Sequence, residues 1–277
     1  MISTAAVRHH YLTSRAGLRL HALEFVGAGG AERSAPPVLL LHGVTGHACL
    51  WHDVGSMLCG GRRVIALDMR GHGDSQWSAN GAYKTAQHVE DLEDVIAGLG
   101  LPSRLDLAAL SWGALVAMEY AARHPGMVRR FAVVDVEPSF AQSETELFPR
   151  PDWFASSAEL LEWERKANVY APQPLLALHA AASVVPGRNG GFVRKHDPYF
   201  FKRWPFRSDD LWLVLPTLTM PMLMLHGEHS FVRLEVMKQM AAIAAQASCE
   251  EIANSGHLIP LDAPQELAGR LQKFFYE

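Results

Sequence analysis

The chain has 277 residues, 49% of them hydrophobic and 19% charged, a balance that supplies a substantial core and excludes extended disorder. A formal charge of −4 gives no basic footprint for nucleic acid or an anionic membrane, so a small-molecule substrate is the expected partner. The three cysteines, Cys49, Cys59 and Cys249, form no C-x-x-C pair, which argues against a disulfide framework or a zinc site and fits a reducing cytoplasm.

Residues 1–10 lack the apolar segment of a signal peptide, and no apolar run is long enough to span a bilayer, so no membrane association is expected. Residues 8–25 alternate as two strands around a turn at Arg15-Ala16-Gly17, a hairpin at a sheet edge. After a Gly- and Pro-rich loop, Val38-Leu39-Leu40-Leu41 is the continuous apolar run of a strand buried on both faces, followed at once by His42-Gly43-Val44-Thr45-Gly46. A short helix over 50–58 and a strand over 63–68 come next, then the glycine-rich turn Met69-Arg70-Gly71-His72-Gly73-Asp74-Ser75. Residues 85–99 carry Val89, Leu92, Val95, Ile96 and Leu99 at helical spacing. Residues 104–123 read as a strand, a corner at Ser111 and a helix apolar almost all round, and 130–135 as the next strand. The alternation predicts an α/β protein built on a mostly parallel, doubly wound sheet of about eight strands.

Between 138 and 215 the rhythm breaks into a proline-punctuated, aromatic segment, read as an inserted helical lid between core segments 1–137 and 216–277. The rhythm resumes with a strand at 222–225, a helix at 233–245, a strand at 249–253, the turn Asn254-Ser255-Gly256-His257 and a final helix.

A serine at a strand-to-helix corner is lifted beside free backbone N–H groups, which is how a nucleophile is presented. Here the usual G-x-S-x-G is Ala109-Leu110-Ser111-Trp112-Gly113, with alanine at the first small position. A neutral hydroxyl needs a base, and His257, in a turn after a late strand, is the best placed of the 14 histidines. His42-Gly43, the turn from Asp68 to Ser75, the Ser111 corner and Gly256-His257 occur in the order and spacing of the α/β-hydrolase superfamily, which the chain resembles over nearly its whole length outside the lid. The resemblance implies an oxyanion hole from the backbone N–H groups of Val44 and Trp112, and pocket contacts near them, for which His42, Trp51, Trp112 and Leu258 are the candidates. His42 is read first as a residue that holds the loop, and Arg70, His72 and Asp74 as a polar cluster that holds their turn.

The triad acid departs from the pattern. Many relatives place an aspartate in a Gly-x-x-Asp turn after the strand at 222–225, where this chain has Gly227-Glu228-His229-Ser230. Asp135, at the end of the strand after the nucleophile's helix, is the first candidate, as in some dehalogenases, lactonases and cofactor-free dioxygenases; Glu228 and Glu137 are alternatives, and a chain with no acid is the last. The expected function is a serine hydrolase of a carboxylic ester or lactone with an apolar or aromatic portion, needing neither metal nor organic cofactor. Ser111 stands where epoxide hydrolases and haloalkane dehalogenases of this fold carry an aspartate. A carbon–carbon bond hydrolase, a cofactor-independent oxygenase and a ligand-binding protein with weakened chemistry stay open as alternatives, and the oligomeric state is not specified.

Overall fold

The computed structural model describes residues 5–27, 35–140 and 150–276. The first half of the chain runs β1 (Ala6–Thr13), β2 (Arg19–Val26), β3 (Val38–Leu41), α1 (His52–Leu58), β4 (Val64–Asp68), α2 (Thr85–Gly98), β5 (Leu105–Leu110), α3 (Trp112–Arg123) and β6 (Val128–Val134). The segment that follows holds β7 (Trp153–Phe154), α4 (Ser157–Ala167), α5 (Gln173–Ala182), β8 (Val184–Pro186), β9 (Phe192–Arg194) and α6 (Tyr199–Lys202). The chain closes with β10 (Met222–Gly227), α7 (Leu234–Ile243), β11 (Ala247–Ile252), α8 (Ile259–Asp262) and α9 (Pro264–Tyr276).

Eight strands form one sheet in the order β1-β2-β4-β3-β5-β6-β10-β11. The hairpin β1–β2 sits antiparallel at one edge, and every pairing from β4 to β11 is parallel. Alternate side chains of one strand enter opposite layers: Leu39 and Leu41 join the apolar layer under α2, α3 and α7, while Val38 and Leu40 join the layer under α1 and α9. Burial on both faces explains why β3 reads as an unbroken apolar run. From β3 the chain moves outward to β4 and then returns across to β5 on the other side of β3. The crevice at the carboxyl ends of β3 and β5 is therefore the topological switch point, where open α/β sheets bind ligands.

The segment between β6 and β10 is not purely helical, because β7, β9 and β8 form a small antiparallel sheet. Strands of two or three residues are too short to leave a period in the sequence. Phe154, Leu160, Ala180 and Val184 make a separate apolar cluster there, whereas Phe200, Phe206, Leu211 and Leu215 pack into the main core. Among the described residues no helix is long and apolar enough to cross a membrane.

Candidate active site

The corner after β5 carries strain at one residue. Ser111 has φ +53° and ψ −129°, a conformation that costs a side-chain-bearing residue about 1–3 kcal/mol. Its N–H donates to the Val134 carbonyl (2.9 Å) and its carbonyl accepts from Ala114 (2.8 Å), so β6 and the first turn of α3 hold the strained residue in place. Two glycines make room for this turn. A Cβ at Gly113 would stand 2.4 Å from the His42 carbonyl oxygen, and one at Gly43 would stand 2.9 Å from the Ser111 Cβ. The methyl of Ala109, by contrast, is accommodated fully buried in the core.

Two neutral histidines shape the loop after β3. The His42 Nδ1–H donates to the Gly43 carbonyl (2.7 Å) while Nε2 accepts from the Met69 N–H (3.1 Å). The His72 Nδ1–H donates to the Arg70 carbonyl (3.0 Å) and Nε2 accepts from Thr45 (3.0 Å), whose φ is +60°. Burial depresses the pKa of both rings, which keeps each one a donor at one nitrogen and an acceptor at the other. Arg70 is engaged elsewhere, in a buried bidentate pair with Asp91, and Asp74 pairs with Lys195 (2.7 Å). From this turn His72 reaches the loop at Thr45, while Arg70 and Asp74 make their ion pairs outside it. Among the described residues no acceptor takes the N–H of Val44 or of Trp112, and the close approach of Gly43 to Ser111 sets the loop beside the corner.

The carboxylate comes from the end of β6. Asp135, fully buried and itself at φ +49°, faces His257 Nδ1 through Oδ2 at 2.6 Å. Its Oδ1 accepts the Gly227 N–H (3.0 Å), and Oδ2 also accepts the Ser230 hydroxyl. The Ser230 oxygen in turn accepts the Val232 N–H (3.1 Å), which directs the hydroxyl proton to the carboxylate. Ser230 thus stands in the turn after β10 and donates to the carboxylate of Asp135. The two alternative acids do not reach the imidazole. Glu228 accepts the Asn254 N–H (2.8 Å) beside His229, and Glu137 is held by Arg233 (2.6–3.1 Å). With Nδ1–H directed at Asp135, the basic nitrogen of His257 is Nε2, which has no hydrogen-bond partner among the described residues.

Ser111, His257, Val44 and Leu258 line one cavity of about 120 Å³. Its walls are mainly apolar, with Leu50, Phe140, Trp204, Phe206 and Phe231 among them, and Arg150 and His179 are its polar additions. Three expected pocket contacts are corrected. Trp51 is fully buried in the layer under α1 and α9, because the turn entering α1 aims its ring inward. The Trp112 ring packs between Phe200, Phe206 and His88 and donates its Nε1–H to Thr85 (3.0 Å), so only its backbone N–H is available beside Ser111. His42 does not line the cavity and holds the loop instead. Sequence reading missed Ser230, Arg150 and Phe231, whose ring lies 4.5 Å from that of His257. Of these only Ser230 left a signal, as the odd residue at a position where an acid is common.

The chain is 27% identical to epoxide hydrolase 3 of Xenopus tropicalis over 308 residues, covering 100% of this chain and 80% of that protein. It is 29% identical to an esterase of Mycobacterium tuberculosis over 250 residues, covering 84% of this chain and 80% of that protein. The solved structure of E-2-(acetamidomethylene)succinate hydrolase shares the fold with a TM-score of 0.83 at 19% identity, covering 98% of this chain and 100% of that one. A family model described as the alpha/beta hydrolase fold matches residues 36–264, spanning the strained serine corner, the histidine-held loop and the Asp135–His257 pair, and the chain belongs to that family of hydrolases.

Proposed function

We propose that the protein is a serine hydrolase of carboxylic esters or lactones with an apolar or aromatic portion. The observation that carries this reading is the buried Asp135 on His257 Nδ1, which leaves Nε2 basic in the cavity that also holds Ser111. Ser111 gives its proton to His257 Nε2 as its Oγ attacks the carbonyl carbon, and the Val44 and Trp112 N–H groups hold the oxyanion. Collapse breaks the bond to the alcohol oxygen, which receives the proton from His257. Water then attacks the acyl carbon, His257 takes its proton, and the serine is restored. Throughout, Asp135 fixes the tautomer and stabilises the imidazolium. These steps balance without a metal or organic cofactor.

Residues 138–215 act in this reading as a lid, supported by Phe140, Trp204 and Phe206 on the cavity wall. Epoxide hydrolases resemble the chain in fold but open their ring with an aspartate at the corner, and Ser111 stands there instead. The free thiols of Cys49, Cys59 and Cys249 suit a cytoplasmic protein. The test is labelling with a fluorophosphonate probe followed by intact mass, together with turnover of short p-nitrophenyl esters. Wild type is expected to take one adduct and hydrolyse the esters, and Ser111→Ala to do neither. Folded wild type that resists labelling overturns the proposal.

A further inference from the structure

Arg150 lines the cavity that holds Ser111 and makes no ion pair among the described residues. The acid whose charge reaches it, Glu164, is fully engaged: Oε1 takes Arg194 (2.6 Å) and Oε2 takes Asn168 (2.9 Å). The guanidinium of this half-buried side chain lies 5.8 Å from the centre of the Trp163 ring. A half-buried guanidinium on a mainly apolar cavity wall gains by pairing with an anion that enters the cavity.

His179 supplies a second, independent observation. It is 6% exposed, lines the same cavity, and its Nδ1 has no hydrogen-bond partner. Its pKa is pushed down to about 3, by burial first and then by the charge of Arg150, so it is a neutral imidazole that can donate or accept one hydrogen bond. A planar fork of donors beside a neutral imidazole matches a carboxylate, whose two oxygens accept in parallel. A phosphate dianion would leave an unbalanced negative charge in the cavity, because Arg194 is already neutralised by Glu164.

The geometry points to a substrate that carries its own carboxylate: Arg150, with His179 beside it, binds the free acid group of a half-ester whose ester carbonyl meets Ser111. This rests on the serine-hydrolase reading above and names its substrate class. A cavity of about 120 Å³ holds roughly four waters, so the two groups lie a few carbon atoms apart on a small molecule.

The experiment compares mono-p-nitrophenyl adipate and pimelate with p-nitrophenyl hexanoate and heptanoate, corrected for spontaneous hydrolysis. Wild type is expected to favour the charged ester of each length by about tenfold or more in kcat/KM, the worth of one hydrogen-bonded charge pair. Arg150→Gln should remove that ratio and Arg150→Lys, which keeps the charge but not the fork, retain only part of it. A wild type that prefers the neutral esters, or an unchanged ratio in folded Arg150→Gln, overturns the inference. Binding separates this failure from that of the hydrolase reading. Free adipate, but not adipamide, should raise the Tm of Ser111→Ala protein, and the shift should vanish when Arg150→Gln is added. If neither ester is turned over but that shift is seen, the hydrolase reading falls and the carboxylate site stands; no shift with adipate sinks the site whatever the turnover.

Discussion

At the scale of single residues, the most informative side chain is Ser230. It donates to Asp135 Oδ2, the oxygen that also faces His257, and Gly227 holds the other oxygen. Ser230→Ala removes one donor from a buried carboxylate and is expected to lower kcat/KM by roughly tenfold with the fold retained, as read by ester hydrolysis and circular dichroism. Ser230→Asp, although it restores the residue common in relatives, sets a second carboxylate against Asp135 and should also lower activity, since two such groups cannot both ionise cheaply. A rise in activity would show that the acid had simply moved back. Asp135 was legible in the sequence because it directly follows an apolar strand run, and His257 because it closes the Asn254-Ser255-Gly256-His257 turn after a late strand. The rings of Trp51 and Trp112 were misread because a position beside the corner does not fix the direction in which a ring points. Arg150 lies in irregular chain, where no period or motif singles it out.

The elements show which departures from the family pattern matter. Gly113 and Ala109 flank Ser111 symmetrically in sequence, yet a methyl at 113 meets the His42 carbonyl at 2.4 Å while the one at 109 is already buried in the core. Gly113→Ala is expected to destabilise by about 1–3 kcal/mol in urea unfolding and to depress ester turnover through the shifted loop. Ala109→Gly should cost only about 0.5–1 kcal/mol through backbone freedom, with no gain in turnover. The reverse ranking would mean that the first small position is the one that sets the corner. The strands and helices of the main sheet were readable because burial on two faces or on one stripe imposes runs and 3.6-residue spacing. The sheet of β7, β9 and β8 was not, because its strands are too short to repeat.

The whole molecule keeps an unusual number of imidazoles away from water. His42, His47, His72, His88, His179 and His196 are buried, and burial is the leading cause that lowers the pKa of each, to about 3 for His179 and His196. A lowered folded pKa means that the unfolded chain binds protons the native chain refuses. Their contribution is therefore complete above about pH 6.5 and lost as pH falls towards the folded values. Burial raises the carboxyls of Asp91, Asp106, Asp209 and Asp262, the last two to about 6, and native-state proton uptake at raised carboxyls acts with the opposite sign. The histidines outnumber these carboxylates, and the lowered carboxyls of Glu24, Asp68 and Glu137 act in the same sense as the histidines, so stability is expected to decline as pH falls below about 6.5. Urea unfolding followed by tryptophan fluorescence at pH 7.5, 6 and 5 should show this decline; equal stability across the range would contradict it.

The central claim, a serine hydrolase whose acid has moved to the end of β6, is tested most directly by comparing kcat/KM for Asp135→Asn and Glu228→Gln on p-nitrophenyl acetate. Asp135→Asn is predicted to lose on the order of 10⁴-fold and Glu228→Gln to stay within about threefold of wild type. An Asp135→Asn enzyme within about threefold of wild type, or a large loss confined to Glu228→Gln, would contradict the claim.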